Sequence, residues 1–241
     1  MTSAVVIAID GPSGSGKSSV SKAVAARLGL AYLDTGAMYR AATVWSMEKA
    51  DLDDAVSVAT AVRAMPLVLG LDPTVPGVEL DGRDVAVTIR TTEVSTSVSR
   101  VASNLEVRAE LKRLQREIID RETSAAQAQF SGGRGIVAEG RDITTVVAPD
   151  ADVRVLLTAS EEARLRRRSL EVHGAADATA VDATRDQVLR RDRDDAKVTQ
   201  FQFASDGVVT VDSSDLDFEQ TVEAVLAVVT QVTGRQVAPS A

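Results

Sequence analysis

The chain has 241 residues, 44% of them hydrophobic and 26% charged, with a formal net charge of −8. No apolar run approaches the roughly 18 residues that span a bilayer, and the acidic balance argues against a nucleic-acid surface, which needs a basic excess. There is no cysteine and one histidine, His173, which excludes disulfides, thiolate catalysis and Cys-based zinc and leaves oxygen atoms as donors for any metal. The N-terminus lacks a secretory leader, so the expectation is a cytoplasmic α/β protein, one unit with an insertion rather than two independent domains.

Residues 4–10 read AVVIAID, an apolar, β-branched run suited to a strand buried on both faces of a parallel sheet. Gly11, Pro12, Ser13, Gly14, Ser15, Gly16, Lys17, Ser18 and Ser19 follow, and Gly11, Gly16, Lys17 and Ser18 fit the phosphate-loop pattern GxxxxGK followed by Ser or Thr. Val20, Val24 and Leu28 recur at helical spacing, with Gly29 placed for a left-handed cap. Such a unit captures anions. Backbone N–H groups of residues 13–18, the helix N-terminus and Lys17 converge on phosphates, and the Ser18 hydroxyl suits Mg²⁺. Nucleoside triphosphate binding is the prediction.

Residues 31–33 form a short second strand, with Thr35 at its carboxyl end, where open α/β sheets bind ligands. Thr35 also reads as the N-cap of the next helix, and Arg40 lies one turn into it. A helix is expected over 54–65, closed by Pro66. Residues 67–90 then alternate short β-type runs with Asp-Pro, Pro-Gly and Asp-Gly turns, which predicts a small antiparallel insertion able to fold over a ligand.

Residues 91–121 read as polar and helical, with Val98, Val101, Leu105, Leu111, Leu114 and Ile118 as the apolar stripe and Ser99 and Arg108 nine apart. A Gly, Ser and Gln loop over 123–135 is expected to be mobile. Strands follow at 136–138, with Glu139, Gly140, Arg141 and Asp142 at the carboxyl end, and at 153–157. A helix at 159–170, a flexible link at 172–180, a charged helix at 181–195, a strand at 208–211 and an amphipathic helix at 216–232 complete the chain. The tail after Gly234 is expected to be disordered.

A phosphate loop alone names no reaction. The NKxD motif of GTPases, the LSGGQ signature of transporter ATPases and the HRD loop of protein kinases are all missing. What the chain has is arginines on separate segments, Arg40, Arg108, Arg141, Arg164 and Arg191, a set suited to holding two phosphate-bearing molecules in line. A phosphate-monoester acceptor is already an anionic nucleophile and needs no general base, so positioning and charge neutralisation carry catalysis. That points to a nucleotide kinase. A kinase for UMP or a non-nucleotide acceptor, and a non-catalytic ATP sensor, stay open on the residues alone.

IDGPSGSGKSS, YLDTGAMYR, IRTTEV ahead of Ser99 and Arg108, AEGRDITTVVAPDA, TASEEARLRRR and RRDRDD, in that order, together resemble the bacterial cytidylate kinases. The resemblance runs from Val5 to about Phe218. It implies a P-loop kinase fold: a parallel sheet of about five strands flanked by helices, a monophosphate-binding insertion at 67–90 and a helical lid at 160–198. It implies phosphoryl transfer from ATP to CMP or dCMP with Mg²⁺, in a monomer that binds neither nucleic acid nor membrane.

By the same resemblance, residues 11–19 hold ATP with Arg164 and Arg168 from the lid, and Ser18 serves the metal. Lys17, Arg40, Arg141 and Arg191 act on the transferring phosphate. Thr35, Arg40, Ser99, Arg108, Arg141, Asp142, Arg191 and Asp195 bind the acceptor, with Ser99 and Arg108 reading cytosine. Two positions depart from the pattern: Glu139 stands where the family often has Asp, and Val198 where a second lid arginine is usual, with Lys197 beside it as a point charge.

Overall fold

A computed structural model describes residues 4–174, 177–196, 199 and 201–234. At its centre lies β1 (Val5–Asp10), five of whose six residues are buried. With β2 (Ala31–Asp34), β6 (Gly135–Gly140), β7 (Val153–Thr158) and β8 (Val209–Asp212) it forms a parallel sheet in the order β2-β6-β1-β7-β8. Successive side chains of a strand point to opposite faces, and both faces are covered. Val5, Ile7 and Ile9 pack with Val20 and Val24 of α1 (Lys17–Leu28) and Val222, Val225 and Val229 of α8 (Phe218–Thr233). Ala8 turns the other way, into a core with Met38 and Ala41 of α2 (Thr35–Lys49), Val58 of α3 (Ala55–Arg63) and Leu111.

This is the expected P-loop kinase architecture. The chain steps from β1 to β2 on one side and later to β7 on the other, so the carboxyl end of β1 is the topological switch point where α/β sheets bind ligands. At the end of α1, Gly29 adopts the left-handed conformation (φ 63°), and its N–H reaches the carbonyl of Ala26 while that of Leu30 reaches Ala25, a Schellman-type stop.

The insertion folds as β3 (Leu67–Leu69), β4 (Val78–Leu80) and β5 (Arg83–Asp84), all antiparallel. Asp81 and Gly82 both have positive φ, 51° and 72°, as a two-residue hairpin turn requires. A 3₁₀ turn, Thr88–Arg90, closes the segment.

Several local expectations are corrected. The stretch 91–121 is two helices, α4 (Thr92–Ala102) and α5 (Leu105–Glu122). Asn104 starts the second by accepting the N–H groups of Glu106 (3.0 Å) and Val107 (3.4 Å). The break resets the helical phase, so Leu105 is 76% exposed and Val107 is buried in its place.

The loop at 123–135 is pinned. The carboxylate of Glu122 accepts the N–H groups of Gln129 (2.7 Å) and Ser131 (2.9 Å), and the Ser131 hydroxyl donates to the Glu122 carbonyl. Asp34 rather than Thr35 caps α2, taking the N–H of Ala37 at 2.8 Å. Finally, α6 (Glu161–His173), which ends at the left-handed Gly174, and α7 (Ala178–Ala196) both extend into 172–180. The tail beyond Gly234 lies outside the described residues.

Candidate active site

Gly14 (φ 76°) and Gly16 (φ 86°) hold conformations that only glycine adopts without strain. A Cβ on Gly14 would come within 2.6 Å of the Arg164 carbonyl, whereas one on Gly16 would meet nothing within 4 Å. Gly14 therefore also permits α6 to approach the loop. No side chain caps α1, which leaves its first N–H groups available to an anionic ligand.

The β1–β6–β2 register sets Glu139 beside both Ile9 and Asp34. The Ser18 hydroxyl donates to Glu139 Oε1 at 2.6 Å, the Tyr32 phenol donates to the same oxygen at 3.3 Å, and Lys17 Nζ lies 3.9 Å from Oε2. Glu139 is only 2% exposed. Burial and then the charge of Asp34 push its pKa above the ordinary carboxylate value, against the pull of Lys17 and the Ser18 bond. Burial, followed by the nearby Glu139, raises the Tyr32 pKa far above the ordinary phenol value. Thr35 donates its hydroxyl to the backbone carbonyl of Glu139 at 2.8 Å.

Asp10 anchors the other side. Its buried carboxylate accepts the N–H groups of Ile143 (2.9 Å) and Thr144 (2.8 Å) and the Thr144 hydroxyl (2.6 Å). Burial raises the Asp10 pKa in spite of those bonds. The bonds hold a single π-helical segment, Ile143–Val147, and so fix Arg141 and Asp142 just before it. Arg141 donates to the Gly11 carbonyl and lies 4.9 Å from the centre of the Phe201 ring. Asp142 receives a 2.5 Å ion pair from Arg108, which also lies 5.9 Å from the Tyr39 ring centre. Burial raises the Asp142 pKa and the Arg108 charge opposes the rise.

These groups line two adjoining clefts. One, of about 210 Å³, runs from Ser13, Gly14, Gly16 and Ser19 past Lys22 and Arg168 to residues 69–71 and 76–78 of the insertion and Arg90. The other, of about 90 Å³, is walled by Thr35, Tyr39, Val98, Ala102, Arg108, Gly140 and Asp142. Lys17, Ser18, Asp34, Arg40 and Arg141 line both. The small sheet thus faces the phosphate-loop cleft, while α4 and α5 wall the second one.

Most sequence-predicted residues are brought together here. Arg164 donates to the Ser13 carbonyl at 2.9 Å and pairs with Asp192. Ser99 is half-buried on α4 but lines neither cleft; its neighbours Val98 and Ala102 line the second. Arg191 and Asp195 are on α7, with side chains outside the description, and Lys197 and Val198 are outside the described residues. Sequence reasoning placed Asp34 and Glu139 at the carboxyl ends of their strands without their contacts, and missed Asp10 and Asp192. Asp10 also stands at the carboxyl end of a parallel strand, the signal that could have found it.

The protein-family model described as cytidylate kinase matches residues 7–231. The chain is 47% identical over 228 residues to a cytidylate kinase of Streptomyces avermitilis, covering 94% of this chain and 93% of that protein. Identity to the cytidylate kinase of Streptomyces coelicolor is 49% over 228 residues, with 94% and 93% covered, and to that of Nocardia farcinica 44% over 232 residues, with 94% of each covered. A chain with a phosphate loop and a carboxylate-paired arginine in adjoining clefts, matched along nearly its whole length, belongs to the cytidylate kinase family.

Proposed function

We propose that the protein transfers the γ-phosphoryl group of ATP to CMP or dCMP, giving ADP and CDP or dCDP. The observation that carries this reading is the meeting of two clefts at Lys17, Ser18, Arg40 and Arg141, which suits a donor and an acceptor phosphate converging on one cluster of cations.

Residues 11–19 take the ATP phosphates, with Arg164 and Arg168 on the donor side. Arg40 and Arg141 grip the acceptor phosphate, and Lys17 neutralises the charge that spreads over the transferring group. The acceptor monoester is largely dianionic at neutral pH, so no base is required. Arg191 and Asp195 belong to the acceptor side from α7. In the second cleft Arg108 presents donors to O2 and N3 of cytosine, Asp142 holds that guanidinium in place and Thr35 completes the acceptor site, whereas Ser99, outside both cleft walls, is given no contact with the base.

The donor set fits a hard divalent cation. Ser18 Oγ, Glu139 and Asp34 are oxygen groups side by side, and among the described residues no cluster of three His, Cys, Asp or Glu side chains is present. Mg²⁺ accepts such a site because it keeps several waters and is shared with substrate phosphates. Ser18 would hold the ion, with Glu139 and Asp34 ordering its waters. When bound, the ion draws charge from the phosphates during transfer.

No described helix is long and apolar enough to cross a membrane; action as a cytoplasmic monomer is part of the proposal. A coupled assay of ADP release tests the activity. Turnover with CMP and dCMP far above that with UMP, AMP and GMP is expected, and equal turnover across the five monophosphates would refute it.

A further inference from the structure

Asp192, the third residue of the RRDRDD run on α7, is only 7% exposed, and the resemblance assigns it no role. One carboxylate oxygen accepts the N–H of Ser13, within the phosphate loop, at 3.0 Å. The other pairs with Arg164, and Arg141 Nη2 lies 3.8 Å from the first. Arg164 is at the same time bound to the Ser13 carbonyl and Arg141 to that of Gly11. One side-chain anion therefore joins a loop amide to two arginines from different elements.

Two of those partners, the Ser13 N–H and Arg164, belong to the donor-phosphate side proposed above, and Arg141 to the acceptor phosphate. A loop N–H and flanking guanidinium groups form a site for a negatively charged group, and the carboxylate makes charge-assisted bonds there, roughly twice as strong as neutral ones. Next to it lies a cavity of about 570 Å³, lined by Pro12, Thr158, Ala159, Arg164, Leu189 and Phe201 among others. The carboxylate has room to turn aside.

We propose that Asp192 is a positioning residue: it stands in for a nucleotide phosphate at the Ser13 N–H, holds Arg164 against the loop with Arg141 nearby, and yields the Ser13 N–H and Arg164 to ATP. The inference rests on the reading of that loop as the ATP site. ATP binding must then break the Asp192 contacts, and part of its affinity is spent on doing so.

Titration calorimetry of nucleotide-free wild type, Asp192→Asn and Asp192→Ala with Mg-ATP and, separately, with CMP tests the idea. The Asn variant keeps an acceptor of the same shape for the Ser13 N–H but loses the charge. Its Kd for ATP is expected to fall about tenfold, with the Ala variant at least as tight and the Kd for CMP, whose phosphate meets only the more distant Arg141, falling by less in both. A merely structural residue would weaken both ligands. An ATP Kd that is unchanged or higher in Asp192→Asn overturns the proposal. Wild-type protein that bound no ATP would remove the kinase reading, and the Asp192 inference with it.

Discussion

Ser18 and Glu139 are joined by a 2.6 Å hydrogen bond between the first turn of α1 and the end of β6. Glu139 has a pKa above its ordinary 4.5, first through burial and then through Asp34. A raised carboxylate pKa means that the folded protein holds the proton more tightly than the unfolded chain. The resulting stabilisation is present below pH 4.5 and is lost as pH rises through the folded value. Asp10 and Asp142 act in the same direction. Glu139→Gln, which cannot ionise, is expected to melt at or above the wild-type temperature at neutral pH while kcat/KM drops about 10- to 100-fold. A lower melting temperature at neutral pH would contradict this.

Gly14→Ala combines a strained φ of 76° with a Cβ only 2.6 Å from the backbone oxygen of Arg164. Backbone cannot give way as a flexible side chain does, so α6 must shift off the loop. The KM for ATP is expected to rise about tenfold, with a stability loss of about 1–3 kcal/mol in urea titration. Unchanged ATP kinetics would show that the loop tolerates the shift.

Arg108→Met strands the carboxylate of Asp142, whose side chain is 11% exposed. Removing one partner of a buried pair costs about 3 kcal/mol, so thermal stability should fall. The preference for CMP over UMP should collapse at the same time. Adding Asp142→Asn is expected to restore most of the stability and none of the selectivity, since the neutral amide no longer needs a counter-charge. Full CMP selectivity in Arg108→Met would remove Arg108 from base recognition.

Glu122→Ala removes the acceptor for Gln129 and Ser131. Burial disfavours the charged form of Glu122, but the N–H groups of Ser131 and Gln129 outweigh it and its pKa is lowered. Its contribution to stability is thus present at neutral pH and lost as pH falls below the ordinary carboxylate value. The variant is expected to lose about 2 kcal/mol with kcat/KM unchanged, because neither cleft includes the loop. An activity loss larger than the stability loss explains would tie the loop to catalysis.

The phosphate loop and the parallel strands were legible because each is local: apolar β-branched runs such as VVIAID, glycine at forced positive φ, and helical spacing from Val20 to Leu28. The division of 91–121 was not, because Val101 and Leu105 keep helical spacing across Ser103 and Asn104. Only the Asn104 cap reveals the change of phase. Glu139 was read as a variant of a motif rather than as the partner of Ser18, since that contact depends on the pairing of β1 with β6. Asp192 lay hidden in a charged helix whose sequence alternates acids and arginines, where pattern alone gives each charge an equal claim to solvent.

The central position of β1 also governs how the protein is made. The strand is synthesised before the other four strands of its sheet, yet both of its sheet neighbours, β6 and β7, begin beyond residue 134. At ribosomal speed it waits on the order of ten seconds with both edges bare. In that interval an apolar ribbon with unsatisfied backbone is open to other chains, and refolding from denaturant meets the same delay as a large loop-closure entropy. The strand that ends in the phosphate-loop turn emerges ahead of the rest of its sheet and is among the last to find its neighbours.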